Sequence, residues 1–159
     1  MKGYALGLFD KLLAGADSHA ATIARLTIED VKDAVARDLE SLLNTRCALL
    51  PDVIKKFPEC SKSIATYGLN DFAGRSLTSA DDRAFICKSL ELTIGRHEPR
   101  LRNVRASLAL DSNSTNKLNI AISALLVLNS EQEPVKFDAV LKPSSLQYSI
   151  SKARRVTRV

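Results

Sequence analysis

The chain has no tryptophan, one methionine, six glycines and two histidines among its 159 residues. Each shortage excludes something. Glycine is too scarce to build phosphate-cradling loops, and neither G-x-x-x-x-G-K nor G-x-G-x-x-G occurs. His19 and His97 lie far apart, without a second histidine at metal-ligand spacing. No G-x-S-x-G elbow is present, and neither histidine is placed to serve a serine as base. The 18 acids include no pair that spacing singles out for glycosidase work. Aromatic residues make up 5% of the chain, and the basic C-terminus has none, so the aromatic interleaving of a single-strand nucleic-acid binder is missing. The longest uncharged run, Leu118 to Ser130, falls short of the about 20 residues that cross a bilayer. The expectation is a protein that is not an enzyme, with no cofactor, no metal, no nucleic-acid partner and no membrane insertion.

Cysteine is sparse as well. Cys47, Cys60 and Cys87 are odd in number and lack C-x-x-C spacing, which reads as three mostly buried thiols in a reducing cytosol. The N-terminus imitates a signal peptide only briefly. Lys2 precedes the apolar run Tyr4 to Phe9, and Asp10 and Lys11 then break it.

What is present suffices for one core. Hydrophobic residues make up 45% and charged residues 26%, the composition of a globular domain. The net charge of +5 is local. Lys152, Arg154, Arg155 and Arg158 supply four of the 23 bases, and without them 19 bases face 18 acids. The body is balanced and the basicity is a tail, residues 151–159. Residues 1–24 read as a short amphipathic helix (3–14) plus a small-residue linker, and residues 25–150 as the folded domain.

Within that domain the hydrophobic period changes once. Thr27 is positioned as an N-cap with Asp30 three residues on, and Ile28, Val31, Val35, Leu39 and Leu42 form one helical face. Pro51 and Pro58 bracket a mixed stretch, and residues 67–71 (YGLND) look like a turn. Thr78 or Ser79 caps a second long helix with Ile86, Leu90 and Ile94 as its stripe and Gly95 as its stop. Period 2 takes over after it. Val104, Ala106, Leu108 and Leu110 alternate with polar residues. Strands follow at Leu118–Leu128, Val135–Leu141 and Leu146–Ile150, with turns at 111–116 and 129–134. Helices first and then a run of strands on short connections predict an α+β fold whose strands form an antiparallel meander.

One constellation stands out where helix gives way to strand. Pro99 disfavours the α region for Glu98, which places that carboxylate at the negative end of the helix dipole. Arg100 follows, and in an extended segment the two side chains project to the same side. Such a pair either ties down the corner as a local salt bridge or presents a fork that docks in a partner.

Glu98-Pro99-Arg100-Leu101 after an apolar helix, followed by a meander, resembles the family of contractile-tail baseplate wedge proteins. Three more segments resemble the type VI secretion branch of that family: residues 6–12 (LGLFDKL), 38–46 (DLESLLNTR) and 67–71. The family usually carries an aromatic before Glu-Pro-Arg, where this chain has His97. The resemblance implies a fold like the interlocking domain of the contractile sheath. It implies a structural subunit, cytoplasmic, at the baseplate docked on the inner membrane. It implies partnership with the wedge proteins TssF, TssG and TssK and with the sheath proteins TssB and TssC. Glu98, Pro99 and Arg100 are then the partner-binding residues. Alternatives are the equivalent subunit of a phage tail or extracellular contractile particle, and a peptidoglycan-cleaving enzyme, after an old lysozyme-like family label. A meander also leaves strand edges, and those within 101–110 and 145–150 are candidates to receive a sheath arm. Lys142, Pro143 and the basic tail are candidates to blunt them.

Overall fold

The computed structural model describes residues 27–49, 51–72, 74–76, 79–110, 118–128, 131–142 and 147–152. The helix expected at residues 3–14 and the turn at 111–116 lie outside them. Among the described residues, three α-helices precede four strands: α1 (Ile28–Asn44), α2 (Pro51–Lys56), α3 (Ala80–His97), β1 (Leu101–Leu110), β2 (Leu118–Leu128), β3 (Glu131–Lys142) and β4 (Gln147–Lys152). Two short 3-10 segments, Pro58–Lys62 and Ile64–Thr66, lie between α2 and α3. The sheet order is β1-β2-β3-β4, with every neighbouring pair antiparallel. This is the α+β meander the change of period predicts.

The long helices begin where their caps place them. The Thr27 hydroxyl accepts from the Asp30 amide, and the Asp30 carboxylate accepts from the Thr27 amide at 2.8 Å, which closes a capping box. Val31, Val35, Leu39 and Leu42 are buried as one face, joined by Ala34, Ala36 and Leu43. Ser79, not Thr78, caps α3. Gly95 does not stop that helix. The helix runs through His97, and Glu98 is its C-cap, because Pro99 restricts the residue before it more strongly than a glycine invites termination.

The sheet packs one face against the helices. Ile120, Ile122, Leu126, Phe137 and Ala139 are at most 1% exposed and form one cluster with Leu39, Leu42, Leu90 and Ile94. β1 needs a device to join them. Arg102 pairs with Leu125, but Arg105 pairs with Ser123, so Asn103 and Val104 together oppose one residue. Asn103 takes the left-handed φ of 53° that this bulge demands. The extra residue changes the strand's parity. Leu101 points inward before it, and Val104, Ala106 and Leu108 pack on the core after it.

Two boundaries differ from the sequence reading. β3 begins at Glu131, inside the stretch read as a turn, because Leu128 and Glu131 pair directly across a two-residue connection. Pro134 then sits within a strand. The six described residues of β4 pair with Phe137–Lys142, so among the described residues Pro134 lies where β3 has a neighbour on one side alone, a place that tolerates a missing N–H. β4 also extends to Lys152, whose ammonium reaches Asp33 at 2.7 Å and Glu29 at 3.1 Å on α1. The first cation of the expected tail therefore belongs to the sheet. The cysteines are free but only partly buried, less enclosed than expected.

Both outer strands have helix side chains on their open edges. On β4, the Asn44 amide donates to the Tyr148 carbonyl at 2.9 Å and accepts from the Tyr148 N–H at 2.7 Å. Glu40, one turn earlier, accepts from the Ile150 N–H at 2.8 Å. On β1, Glu91 accepts from the Ala106 N–H at 3.0 Å, and the Leu108 N–H reaches the Cys87 sulfur. In each case residues four apart on a helix serve residues two apart on a strand. The steps nearly match, about 6.0 Å along a helix and about 6.6 Å along a strand.

Candidate partner-binding site

The Glu98-Pro99-Arg100 corner is a turn, not the extended segment the sequence suggested. The Glu98 carbonyl accepts from the Leu101 N–H at 3.1 Å, which places Pro99 at the first central position of a turn, where its fixed φ fits. The Glu98 N–H continues the helix ladder to Ile94 at 2.8 Å, and the Arg100 carbonyl accepts from Val127 on β2 at 2.8 Å. The corner is thereby fastened to α3 on one side and to the sheet on the other.

Within it the two side chains form a fork. Arg100 Nε donates to Glu98 Oε1 at 2.7 Å and Nη2 donates to Oε2 at 2.6 Å. The Arg100 backbone N–H adds a third bond to Oε1 at 3.2 Å. Arg100 Nη2 also bridges to the Asp38 carboxylate on α1. Glu98 is 4% exposed, so its charge is enclosed and its partner is internal. Arg100 is held charged: its pKa is raised, first by the bonds to Glu98 and further by Asp38, against the penalty of burial. The salt-bridge role weighed from the sequence is thus present, and it spans more than the corner. It joins the end of α3 to the middle of α1. Pro99 is exposed, and none of these contacts uses Arg100 Nη1.

His97 fills the position before the motif. Its Nε2 lies 3.0 Å from the Thr66 carbonyl, and its ring meets Tyr67 edge-on with centroids 5.5 Å apart. Burial lowers its pKa, the neighbouring Arg96 charge lowers it further, and the bond to Thr66 opposes both. Tyr67 is tuned by the same corner. Burial raises its pKa, and the charges of Asp38 and Glu98 raise it more. Behind Tyr67, Leu69 exchanges backbone bonds with the end of α1, donating to Thr45 at 2.8 Å and accepting from Cys47 at 2.9 Å. Gly68 permits this approach. It has φ of 111°, and a Cβ there would lie 2.6 Å from the Thr45 carbonyl oxygen.

Three of the four segments that carry the family resemblance therefore meet at one place: Asp38 from the first, Tyr67 from the second and Glu98-Pro99-Arg100 from the third. The fourth, residues 6–12, lies outside the described residues. Sequence reasoning placed His97 at this corner but missed Asp38 as a member of the cluster. Asp38 carried a usable signal, since it is an acid on the helix face flanking the buried Leu39. At the helix end, Thr45 does hydrogen-bond a preceding carbonyl, that of Ser41 at 2.8 Å, as its position suggests. Asn44 instead turns to β4.

The sequence of this helix-then-meander domain matches the profile of a known class of assembly component. A family profile described as "Baseplate wedge protein gp25" matches residues 29–131, from the first turn of α1 to the start of β3. The chain belongs to this family of structural baseplate wedge proteins, the family of TssE. No curated protein matches it significantly.

Proposed function

We propose that this chain is a TssE-type wedge subunit of a type VI secretion baseplate, working without catalysis. It binds the wedge core through the corner at Glu98, Pro99 and Arg100 and seeds polymerisation of the sheath. The observation that carries the reading is the corner itself. A charged fork is pre-ordered by internal bonds, so a partner meets a fixed surface rather than two flexible side chains. Its exposed parts are Pro99 and the 27% of the Arg100 side chain that stays open; Glu98 acts by holding Arg100 in place. Among the described residues no helix is long and apolar enough to cross a membrane, which suits a subunit docked on the cytoplasmic side of the inner membrane through its neighbours.

For sheath seeding, the covered edges set a condition. A strand added to β4 or β1 has to displace Asn44 and Glu40, or Glu91 and Cys87, from the backbone groups they occupy. Proline substitutions at exposed edge positions should then reduce sheath recruitment in a folded protein.

The test is a pull-down with tagged protein, wild type beside Glu98→Gln/Arg100→Gln, analysed by mass spectrometry. The double glutamine keeps Glu98 isosteric, leaves a polar side chain at 100 and avoids stranding one buried charge. Wild type should recover TssF, TssG and TssK with TssB and TssC. The double variant should melt cooperatively and lose the wedge proteins. Recovery of phage-tail subunits instead would move the chain to that branch, and undiminished wedge recovery by the folded variant would confine the fork to a structural role.

A further inference from the structure

Helix α3 carries two apolar stripes. Ile86, Leu90 and Ile94 face the core, while Phe85 and Leu92, each 48% exposed, face the other way. The second stripe forms one wall of a groove of about 530 Å³. Lys88 and Arg96 complete that wall, and Ile54, Lys55 and Pro58 stand opposite. From Phe85 to Arg96 the wall runs about 16 Å, three turns of helix. The connection that forms the far side is itself unusually apolar on its surface, with Phe57 59% and Ile64 85% exposed.

The charge in this groove has one sign. Lys55, Lys88 and Arg96 line it, and none of the described lining residues is acidic. Among the described residues no ion pair engages Lys88 or Arg96, and Lys55 touches only the 86% exposed Asp52 on its own short helix. Arg75 adds a further cation by stacking over the Phe85 ring at 4.2 Å, although Asp82 already pairs with it. An apolar floor with cations above it is complementary to an apolar stripe flanked by carboxylates.

That complementarity decides among occupants. The chain's own N-terminal residues 1–26 hold three bases, Lys2, Lys11 and Arg25, against two acids, Asp10 and Asp17, so they offer no acidic excess. The C-terminal Arg154, Arg155 and Arg158 would be repelled. A second copy meeting this groove through a two-fold axis would set cations against cations. A membrane is flat where this surface is concave. We propose that the groove receives an amphipathic helix of a partner protein, with aliphatic residues on one face against Phe85 and Leu92 and glutamate or aspartate on its flanks against Lys88 and Arg96. Glu98, Arg100 and Asp38 do not line this groove, although Thr66 and Gly68 of the neighbouring corner do, and the proposal does not depend on the role assigned to the fork.

The test uses the full chain and two fluorescein-labelled synthetic helices of about 14 residues, enough to span the groove. Both present a leucine stripe; one has glutamate flanks and the other lysine flanks. By fluorescence anisotropy the glutamate helix should bind at least about tenfold tighter than the lysine helix, and rising salt should weaken it. Lys88→Glu/Arg96→Glu and, separately, Leu92→Asp should each weaken it by a similar factor while melting like wild type. Equal binding of both helices, or binding that survives both variants, overturns the proposal. So does failure of the glutamate helix to bind. Sedimentation showing a dimer that Leu92→Asp abolishes would give the groove to a second copy. Vesicles of phosphatidylserine that bind in place of the glutamate helix would give it to a membrane; either result also overturns the proposal.

Discussion

The two open edges of the sheet are guarded in the same way but not to the same degree. On β4, the asparagine at the end of α1 answers both the N–H and the C=O of Tyr148, as a neighbouring strand would, and Glu40 takes the next N–H along. On β1, the described bonds from α3 go to N–H groups: Glu91 takes that of Ala106, and a thiol takes that of Leu108. A thiol is a weak acceptor, and burial pushes that of Cys87 up in pKa, with the Glu91 charge adding, so it stays neutral and weak. The difference follows from side-chain chemistry. An amide carries a donor and an acceptor in the geometry of a peptide unit, whereas a carboxylate only accepts. Asparagine therefore imitates a strand, and glutamate merely satisfies one. The lesson is that an edge strand's safety is graded by which helix residues face it, not by whether a helix lies alongside.

The fork at Glu98 joins the two guarded halves, since Asp38 belongs to α1 and Glu98 to α3. Its removal should be the most costly way to disturb the comparison. Arg100→Ala would leave the enclosed Glu98 carboxylate unpaired. It should cost about 2–4 kcal/mol in urea unfolding, toward the lower end because Arg100 is itself 27% exposed. Arg100→Lys should recover only part of this, because an ammonium cannot span both carboxylates as a fork does.

Opening each edge separately tests the grading directly. Asn44→Ala should cost about 1–2 kcal/mol for its two bonds and Glu91→Ala about 1 kcal/mol for one. Hydrogen exchange should locate the effects, with the Tyr148 amide losing protection in the first variant and the Ala106 amide in the second. Self-association at high concentration should be greater for Asn44→Ala, which frees a donor and an acceptor together. Equal association of the two variants would remove the distinction drawn here.

The smallest effect concerns pH. His97 has a lowered pKa in the folded chain, so the unfolded chain binds its proton more readily. Stability should therefore fall as pH drops below the ordinary histidine value of 6.5 and stop falling, for this group, below the folded-state value. Thermal midpoints measured between neutral pH and mild acid should show the decline. His97→Phe, which keeps an aromatic edge for Tyr67, should flatten it.

Much of this architecture was legible from the residues. The capping box at Thr27, the buried stripe of α1 and the strict alternation in β2 follow local rules, and the structure repeats them. The corner was legible as a place but not as a geometry. Proline announced the end of α3, yet the turn and the reach to Asp38 depend on where α1 lies, which no local pattern records. The covering of the edges was illegible for the same reason. Asn44 at a helix terminus reads locally as a cap, and only the sheet's position gives it a different partner. The β1 bulge was hidden because Val104, Ala106 and Leu108 alternate correctly by themselves; Leu101, out of phase with them, was the clue.

Helix and strand side by side act as a vernier. Their steps differ by about 0.6 Å per rung, so two rungs stay within hydrogen-bonding tolerance and a third drifts by about 1.2 Å. A straight helix can thus shield only a short length of edge. β4, with six residues, is little longer than that reach. β1, with ten, outruns it, and its bulge at Asn103 lies beyond the two rungs that Glu91 and Cys87 serve. There the strand bends away from regular pairing. The bulge thus takes over edge protection where the scale of the helix no longer reads true against that of the strand.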